Sequence, residues 1–208
     1  MTRLLTDVDV ANLLHASNLS YRGRTPTFHV EYPTTIEQVN TRFNLFTDDD
    51  QILFSNSIVF YPINTGSNHW VLLITDTRPE VSITTYIDPL GNKCPSTLRN
   101  NINTRFTHTQ NIDSTGKIQY EGFECGVWVC WLFNIYLDAL HHNAFFTPSV
   151  RLIDWLQPGS VFVDAANHED DIKNRNRGFI SSMRSAYFAS LSELIERGVQ
   201  LYENVVHN

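Results

Sequence analysis

The stretch that decides the fold of this chain is QYEGFECGVWVC, residues 119–130. A glycine-containing turn leads into Cys125, and the apolar run that follows predicts a helix from Gly126 to Leu140. Because this run is apolar on nearly every face, we expect the rest of the fold to enclose the helix. The partial positive charge and the unpaired N–H groups of a helix N-terminus favour a thiolate. The stretch therefore predicts a reactive cysteine.

Two β-rich runs precede this stretch, at residues 69–75 and 81–88, and they predict an antiparallel hairpin. The sequence DTRPE between them contains a proline that favours a tight turn. With the midpoint of the hairpin inside that turn, His69 and Asp88 fall almost opposite each other, where Cβ atoms of neighbouring strands are about 4.5–5.5 Å apart. We therefore expect the imidazole and the carboxylate to interact.

These residues supply the parts that a nucleophilic cysteine enzyme needs. A free cysteine has a pKa of about 8.5 and is only a few per cent thiolate at neutral pH, so it needs a neighbouring base. His69 can hold the thiol proton, and Asp88 can fix the imidazole tautomer and stabilise its charged form. Gln119, six residues before Cys125, can join backbone N–H groups in stabilising the oxyanion of a tetrahedral intermediate. Each residue alone is more often a core, turn or surface residue, so the prediction rests on their joint spacing.

Composition limits the other classes of function. The chain has 208 residues and a net charge of -7, so it offers no basic excess for a nucleic acid. We expect one catalytic domain over residues 1–208, with residues 1–56 and 145–208 as accessory helical and loop regions. The longest apolar run is interrupted by Asn134 and Asp138. It is shorter than the roughly 20 residues that span a membrane, so we expect no membrane span.

The three cysteines, Cys94, Cys125 and Cys130, cannot all pair, and no run resembling a signal peptide opens the sequence. A reducing, cytoplasmic location fits this pattern. On a helix Cys130 points about 140° away from Cys125 and cannot share its site. The adjacent His141 and His142 diverge on a helix, and the helix dipole favours them at its C-terminus. We therefore expect no metal and no cofactor.

The remaining elements have ordinary patterns. They are a helix capped by Thr6 or Asp7, a strand at residues 57–63, a helix at residues 95–106 and a long helix at about residues 179–205. Residues 18–33 have the composition of a polar loop, and residues 35–46 show little pattern.

The order His-Trp, then Asp, then Gln with Cys-Gly six residues later resembles the CE-clan cysteine proteases. That clan includes the SUMO and NEDD8 proteases, the adenovirus protease and bacterial effector deubiquitinases. The resemblance covers roughly residues 57–140 and implies an α+β, papain-like fold of the ubiquitin-like-protein protease type, with a mixed sheet packed on a central helix that starts at the nucleophile. It implies Cys125 as the nucleophile, His69 as the general base, Asp88 as its orienting acid and Gln119 as an oxyanion-hole donor.

The resemblance also concerns a substrate channel. Trp70 matches the aromatic residue that lines the narrow channel for a Gly-Gly tail in this family. No tryptophan precedes Trp70, so the opposite channel wall has no obvious match, and the candidates are Tyr21, Phe28 and Tyr32. A second departure is Glu124, where the family usually has an aspartate before the nucleophile.

The function implied by the resemblance is a cysteine isopeptidase that cleaves after the C-terminal Gly-Gly of ubiquitin or a ubiquitin-like modifier, with ubiquitin favoured over SUMO and NEDD8. The opening LTDVD, residues 5–9, resembles bacterial effector members. It implies a monomeric virulence protein that is secreted into a host cell, where its partners are modifier conjugates. Two alternatives remain open: an effector acetyltransferase with the same His-acid-Cys arrangement, and a non-catalytic module that binds ubiquitin.

Overall fold

The computed structural model describes residues 4–21, 28–45, 56–66, 68–106, 109–113, 116–142, 174, 176–190 and 192–193. The elements in chain order are α1 (Asp7–Tyr21), β1 (Phe28–Val30), β2 (Thr34–Thr35), α2 (Ile36–Leu45), β3 (Ile58–Asn64), β4 (Trp70–Asp76), β5 (Ile83–Ile87), α3 (Ser96–Arg105), β6 (Gln110–Asp113) and α4 (Cys125–His142). Residues 176–190 are also helical, and we call them the C-terminal helical segment. The end of the helix predicted at residues 179–205 lies outside the described residues.

A six-stranded mixed sheet forms the centre of the fold. β3 pairs antiparallel with β4, and β4 pairs antiparallel with β5. β1 and β2 both run parallel to β3, and β6 runs parallel to β5. The strand order β1-β3-β4-β5-β6 places β4 in the middle, and every residue of β4 is buried.

Helices cover both faces of this sheet. Successive side chains of a strand point to opposite faces, and Phe60 and Leu72 accordingly lie in one core cluster with α1, α4 and the C-terminal helical segment. Tyr61 and Leu73 lie in a second cluster with α2 and α3. Burial on both faces explains why β3 and β4 have continuous apolar sequences rather than an alternating pattern.

α4 is enclosed by the rest of the fold, as its sequence predicts. All residues from Cys125 to Phe133 are buried. The ring of Phe133 packs edge to face on Phe60 of β3, with ring centroids 4.8 Å apart. This arrangement confirms the predicted mixed sheet packed on a central helix. Within the described part of the chain, no helix has the length and apolar character needed to cross a bilayer.

Reciprocal hydrogen bonds fix the start of α1. The Thr6 hydroxyl accepts the N–H of Asp9 at 3.2 Å, and the Asp9 carboxylate accepts the N–H of Thr6 at 2.8 Å. This capping box satisfies N–H groups that the first helical turn leaves unpaired. It confirms Thr6 as the cap and holds Leu5, which is 4% exposed, in the core.

Two elements differ from the sequence prediction. α2 was not predicted from the sequence. Only Val39 and Phe43 of this helix are buried, and two apolar positions give little helical pattern. β1 lies inside the stretch predicted as a polar loop, and its three residues are too few to display a period. The predicted helix at residues 95–106 is confirmed as α3, with Leu98 and Ile102 buried.

The hairpin of β4 and β5 is present, but its register is shifted by two residues from the prediction. Leu72 lies opposite Ile87, and continuing this register places Asp88 level with Val71. The reason is the turn, because the N–H groups of Val81 and Ser82 both bond to the carbonyl of Arg78. Ser82 has a φ of 51°, which a strand cannot contain.

The consequence is that Asp88 and His69 are diagonal neighbours rather than direct partners. Side chains two positions apart along a strand share a face, and diagonal neighbours lie within reach of long side chains. The predicted interaction is therefore compatible with the observed register.

Candidate active site

The carboxylate of Asp88, directly after β5, is buried and makes three contacts. Its Oδ1 lies 2.8 Å from Nε2 of His69 and accepts the N–H of Leu90 at 2.7 Å. Its Oδ2 accepts a hydrogen bond from the side-chain amide of Asn92 at 3.0 Å. The loop after β5 therefore fixes the orientation of the carboxylate that faces the imidazole. The role of Asn92 was missed by sequence reasoning, although its place in the turn sequence DPLGN was a usable signal.

The imidazole of His69, directly before β4, is the second part of the site. With Nε2 facing Asp88, the other ring nitrogen, Nδ1, is left for Cys125. Burial of the ring opposes protonation, but the hydrogen bonds with Asp88 and Cys125 and the negative charges of both outweigh it and raise the pKa of His69 to about 9. A pKa raised in this way favours the protonated imidazole at neutral pH.

Cys125 is the first residue of α4 and is 1% exposed. Its Sγ lies 3.5 Å from the backbone carbonyl of Asn68, the residue before His69. Asn68 has a φ of 55°, a conformation that asparagine tolerates better than most residues. The structure thus brings Cys125, His69 and Asp88 together, from a helix start, a strand start and a strand end.

Gln119 is 2% exposed and lies beside the loop that follows Asp88. Its backbone N–H donates to the carbonyl of Pro89 at 2.9 Å, and its side-chain Nε2 donates to the carbonyl of Glu121 at 2.7 Å. Its Oε1 is buried and has no hydrogen-bond partner among the described residues. A side-chain amide has two N–H donors, so one N–H of Gln119 remains for another acceptor. Its role in an oxyanion hole stays a prediction.

Glu124 closes the turn between Gln119 and Cys125. Its carboxylate is buried, and Oε2 accepts the N–H groups of Tyr120 at 3.4 Å and Glu121 at 3.3 Å. Burial raises the pKa of the Glu124 carboxyl above its ordinary value, although these hydrogen bonds act in the opposite direction. Sequence reasoning noted Glu124 as a departure from the family pattern that keeps a carboxylate at the helix start, but it missed the backbone N–H groups that this carboxylate accepts.

Trp70 faces the start of α4 and is covered by Leu5. Its indole is 1% exposed, and the indole N–H donates to the backbone carbonyl of Leu5 at 3.2 Å. A Cβ added to Gly126 would lie 3.1 Å from Cβ of Leu5 and 3.3 Å from Cδ1 of Trp70. Only glycine therefore fits at position 126 without movement of these neighbours.

The residue against Trp70 is thus Leu5, which was not among the candidates for the opposite channel wall. Phe28 packs edge to face on Phe60 and Phe133 in the core. Tyr32 is 59% exposed and lines a cavity between α1 and the segment after β1, with a volume of about 320 Å³. Tyr21 ends α1, and its side chain lies outside the described residues.

The cysteines and the other potential metal ligands form no metal-binding cluster in the part of the chain that the structure describes. Within those ranges, no three histidine, cysteine, aspartate or glutamate side chains lie close enough together to hold a metal ion. Cys94, Cys125 and Cys130 are all free thiols.

The chain is similar in sequence and in fold to proteins of one family. The family model of the Ulp1 protease family, C-terminal catalytic domain, matches residues 6–147. No match is found among curated protein sequences. The crystal structure of an ASFV protease is 17% identical with a TM-score of 0.55, covering 79% of this chain and 69% of its own. A de-sumoylating protease is 13% identical with a TM-score of 0.52, covering 100% and 90%. A variant of Xanthomonas XopD is 19% identical with a TM-score of 0.47, covering 85% and 99%.

The contact with Asp88 has a consequence for the titration of His69. The imidazole should titrate with a pKa of about 9, and Asp88→Asn should lower this value because it removes the negative charge that stabilises the protonated ring. The ring signals can be followed by NMR and assigned by their loss in His69→Gln. Glu80→Gln, which changes an exposed carboxylate at the far end of the hairpin, serves as the control and should leave the titration in place.

The raised pKa of His69 also makes the free energy of unfolding depend on pH. Because the folded pKa of about 9 exceeds the ordinary value of 6.5, the stabilisation from His69 is fully present below pH 6.5 and is lost as the pH rises through about 9. A His69 titration near 6.5 in both wild type and Asp88→Asn would contradict the pairing.

Proposed function

Because this chain belongs to the Ulp1 protease family and is a cysteine protease, we propose that it is an isopeptidase that cleaves after the C-terminal Gly-Gly of ubiquitin or a ubiquitin-like modifier. The observation that carries the proposal is the 2.8 Å contact between His69 and Asp88, with the imidazole next to Cys125 at the start of α4. These positions support the proposal that His69 is the base, Asp88 its orienting acid and Cys125 the nucleophile.

The reaction proceeds in two stages. The thiolate of Cys125 attacks the carbonyl carbon of the terminal glycine, and the protonated His69 gives its proton to the departing lysine amine. The products of this stage are the free amine and a thioester between the modifier and Cys125. His69, now neutral, accepts a proton from the water that attacks the thioester. Collapse of this second intermediate releases the modifier with a free C-terminal carboxyl group and regenerates the Cys125 thiolate beside protonated His69. Asp88 keeps the imidazole oriented through both stages.

The oxyanion of each tetrahedral intermediate requires donors beside Cys125. The first N–H groups of α4 have no acceptor within the helix. The side-chain amide of Gln119 uses one of its two N–H groups for the bond to Glu121, and the second can donate to the oxyanion. We propose that these donors form the oxyanion hole.

We propose that the tail of the modifier binds in a channel beside Trp70. The indole of Trp70 is 1% exposed and bonds to the backbone carbonyl of Leu5, so a Gly-Gly tail can lie against the indole only if the residues that bury it move. We propose that Leu5 supplies the wall opposite Trp70. Glycine residues suit such a narrow passage because they carry no side chain.

The choice of modifier and the location of the protein rest on the sequence resemblance. We propose ubiquitin as the preferred modifier and delivery into a host cell as an effector, as the sequence predicts. Membership of a protease family favours hydrolysis over acetyl transfer. The contact of His69 with Asp88 also favours an active enzyme over a non-catalytic binding module.

We expect covalent labelling of Cys125 by a modifier that carries a C-terminal electrophile. Wild type is incubated with ubiquitin, SUMO and NEDD8 probes, and intact mass reports the adduct. Ubiquitin should label the protein, and Cys125→Ala should lose all labelling because it lacks the nucleophile. Cys94→Ala removes a different, partly buried thiol and should label like wild type. Absence of labelling by all three probes, or labelling of Cys125→Ala, would refute the proposal.

Gln119→Ala should reduce kcat for a fluorogenic modifier substrate by about 10²–10³-fold, the range found when one oxyanion donor is removed. KM should change little, because the donor acts on the intermediate rather than on bound substrate. Lys117→Met, an exposed position in the same segment, is the control and should retain the wild-type kcat. If Gln119→Ala changes KM and leaves kcat at the wild-type value, Gln119 serves substrate binding or folding rather than stabilisation of the oxyanion.

A further inference from the structure

The C-terminal helical segment packs against the turn that leads to Cys125. Arg184 of this segment donates from Nη1 to the backbone carbonyl of Phe123 at 3.0 Å. The same guanidinium lies 5.1 Å from the ring centroid of Phe123 and 5.0 Å from that of Phe188. Such stacked and hydrogen-bonded contacts suit the planar guanidinium better than a lysine ammonium.

Two further residues of the segment contact the other end and the middle of the turn. Asn176, which is 2% exposed, donates from Nδ2 to the backbone carbonyl of Ile118 at 3.2 Å. Arg177 forms an ion pair with Glu121. Asn176 and Arg177 precede Arg184 by about two helical turns, so all three side chains leave one face of the helix. Side chains on one face of this helix therefore contact residues 118–123 at Ile118, at Glu121 and at Phe123.

The part of the turn next to Cys125 needs support of this kind because the hydrogen bonds that involve Glu124 are long, in contrast to the 2.7 Å bond from the Gln119 side chain to the carbonyl of Glu121. The carboxylate of Glu124 accepts two backbone N–H groups at 3.3 and 3.4 Å, and the N–H of Glu124 reaches the carbonyl of Glu121 at 3.4 Å. These distances exceed the range of roughly 2.7–3.2 Å that is usual for N–H···O bonds. The contacts from Arg184 and Asn176 fall inside that range.

We propose that the C-terminal helical segment is a positioning element for the turn at residues 118–124, with Arg184 as its principal positioning residue. The segment acts through Gln119, which lies within the turn, and through Cys125, which follows it. It lies beyond residues 6–147, the part of the chain that the family model matches. The catalytic consequence of this positioning rests on the proposed function, while its structural consequence can be measured without any substrate.

The test compares Arg184→Met, Arg184→Lys and a control. Methionine keeps an apolar stem between the two phenylalanine rings but removes the charge and the donor. Lysine keeps the charge and loses the planar donor geometry. The control is Ser182→Ala, because Ser182 is exposed on the same helix and its hydroxyl bonds to the carbonyl of Gly178. Thermal unfolding of each variant verifies that the fold is retained.

Two readouts are measured for each variant. Hydrogen exchange at the amides of Tyr120, Glu121 and Glu124 should be several-fold faster in Arg184→Met than in wild type, while exchange within α1 is unchanged. With a fluorogenic modifier substrate, kcat should fall about tenfold with KM within about twofold, because small displacements of catalytic groups have large effects on rate. Arg184→Lys should be intermediate in both readouts, and Ser182→Ala should match wild type.

Faster exchange together with a lower kcat supports the positioning role. Unchanged exchange in Arg184→Met overturns it, and so does faster exchange with an unchanged kcat. If wild type cleaves no modifier substrate, the proposed function fails, and exchange at the three amides still decides whether the segment holds the turn.

Discussion

The site depends on how one carboxylate is held. Asp88 sits at the end of β5, and the N–H of Leu90 and the amide of Asn92 fix both of its oxygens. A carboxylate fixed in this way presents Oδ1 to the imidazole, which it meets at 2.8 Å. The protonated state of His69 follows from that contact together with Cys125. Orientation of the base and its charge therefore share one cause.

The elements that carry the site could be predicted because each has a strong local pattern. The buried helix after Cys125 and the two β-rich runs beside His69 and Asp88 are visible as periodicity and composition. The register of the hairpin could not be read from the same pattern, since it depends on the positive φ of Ser82. α2 was not predicted because only two of its residues are buried.

The parts of the site that sequence reasoning missed are held by contacts between residues distant in sequence. Leu5 reaches Trp70 across 65 positions, and Arg184 reaches Phe123 across 61. Neither contact leaves a periodic signal, and a leucine or arginine at these positions has many ordinary roles. The turn before Cys125 is accordingly shaped from two sides, by Glu124 within it and by the C-terminal helical segment outside it.

We propose that His69, held by Asp88, activates Cys125. This proposal is tested by the rate at which iodoacetamide alkylates each cysteine in wild type and in His69→Ala. The reaction is run at about pH 6.5, the ordinary pKa of histidine, and peptide mass spectrometry reports the rate for each cysteine. Burial raises the pKa values of the Cys94 and Cys130 thiols, so both serve as internal references. Cys125 should react fastest in wild type and should lose this advantage in His69→Ala. Equal rates at Cys125 in the two proteins would contradict it.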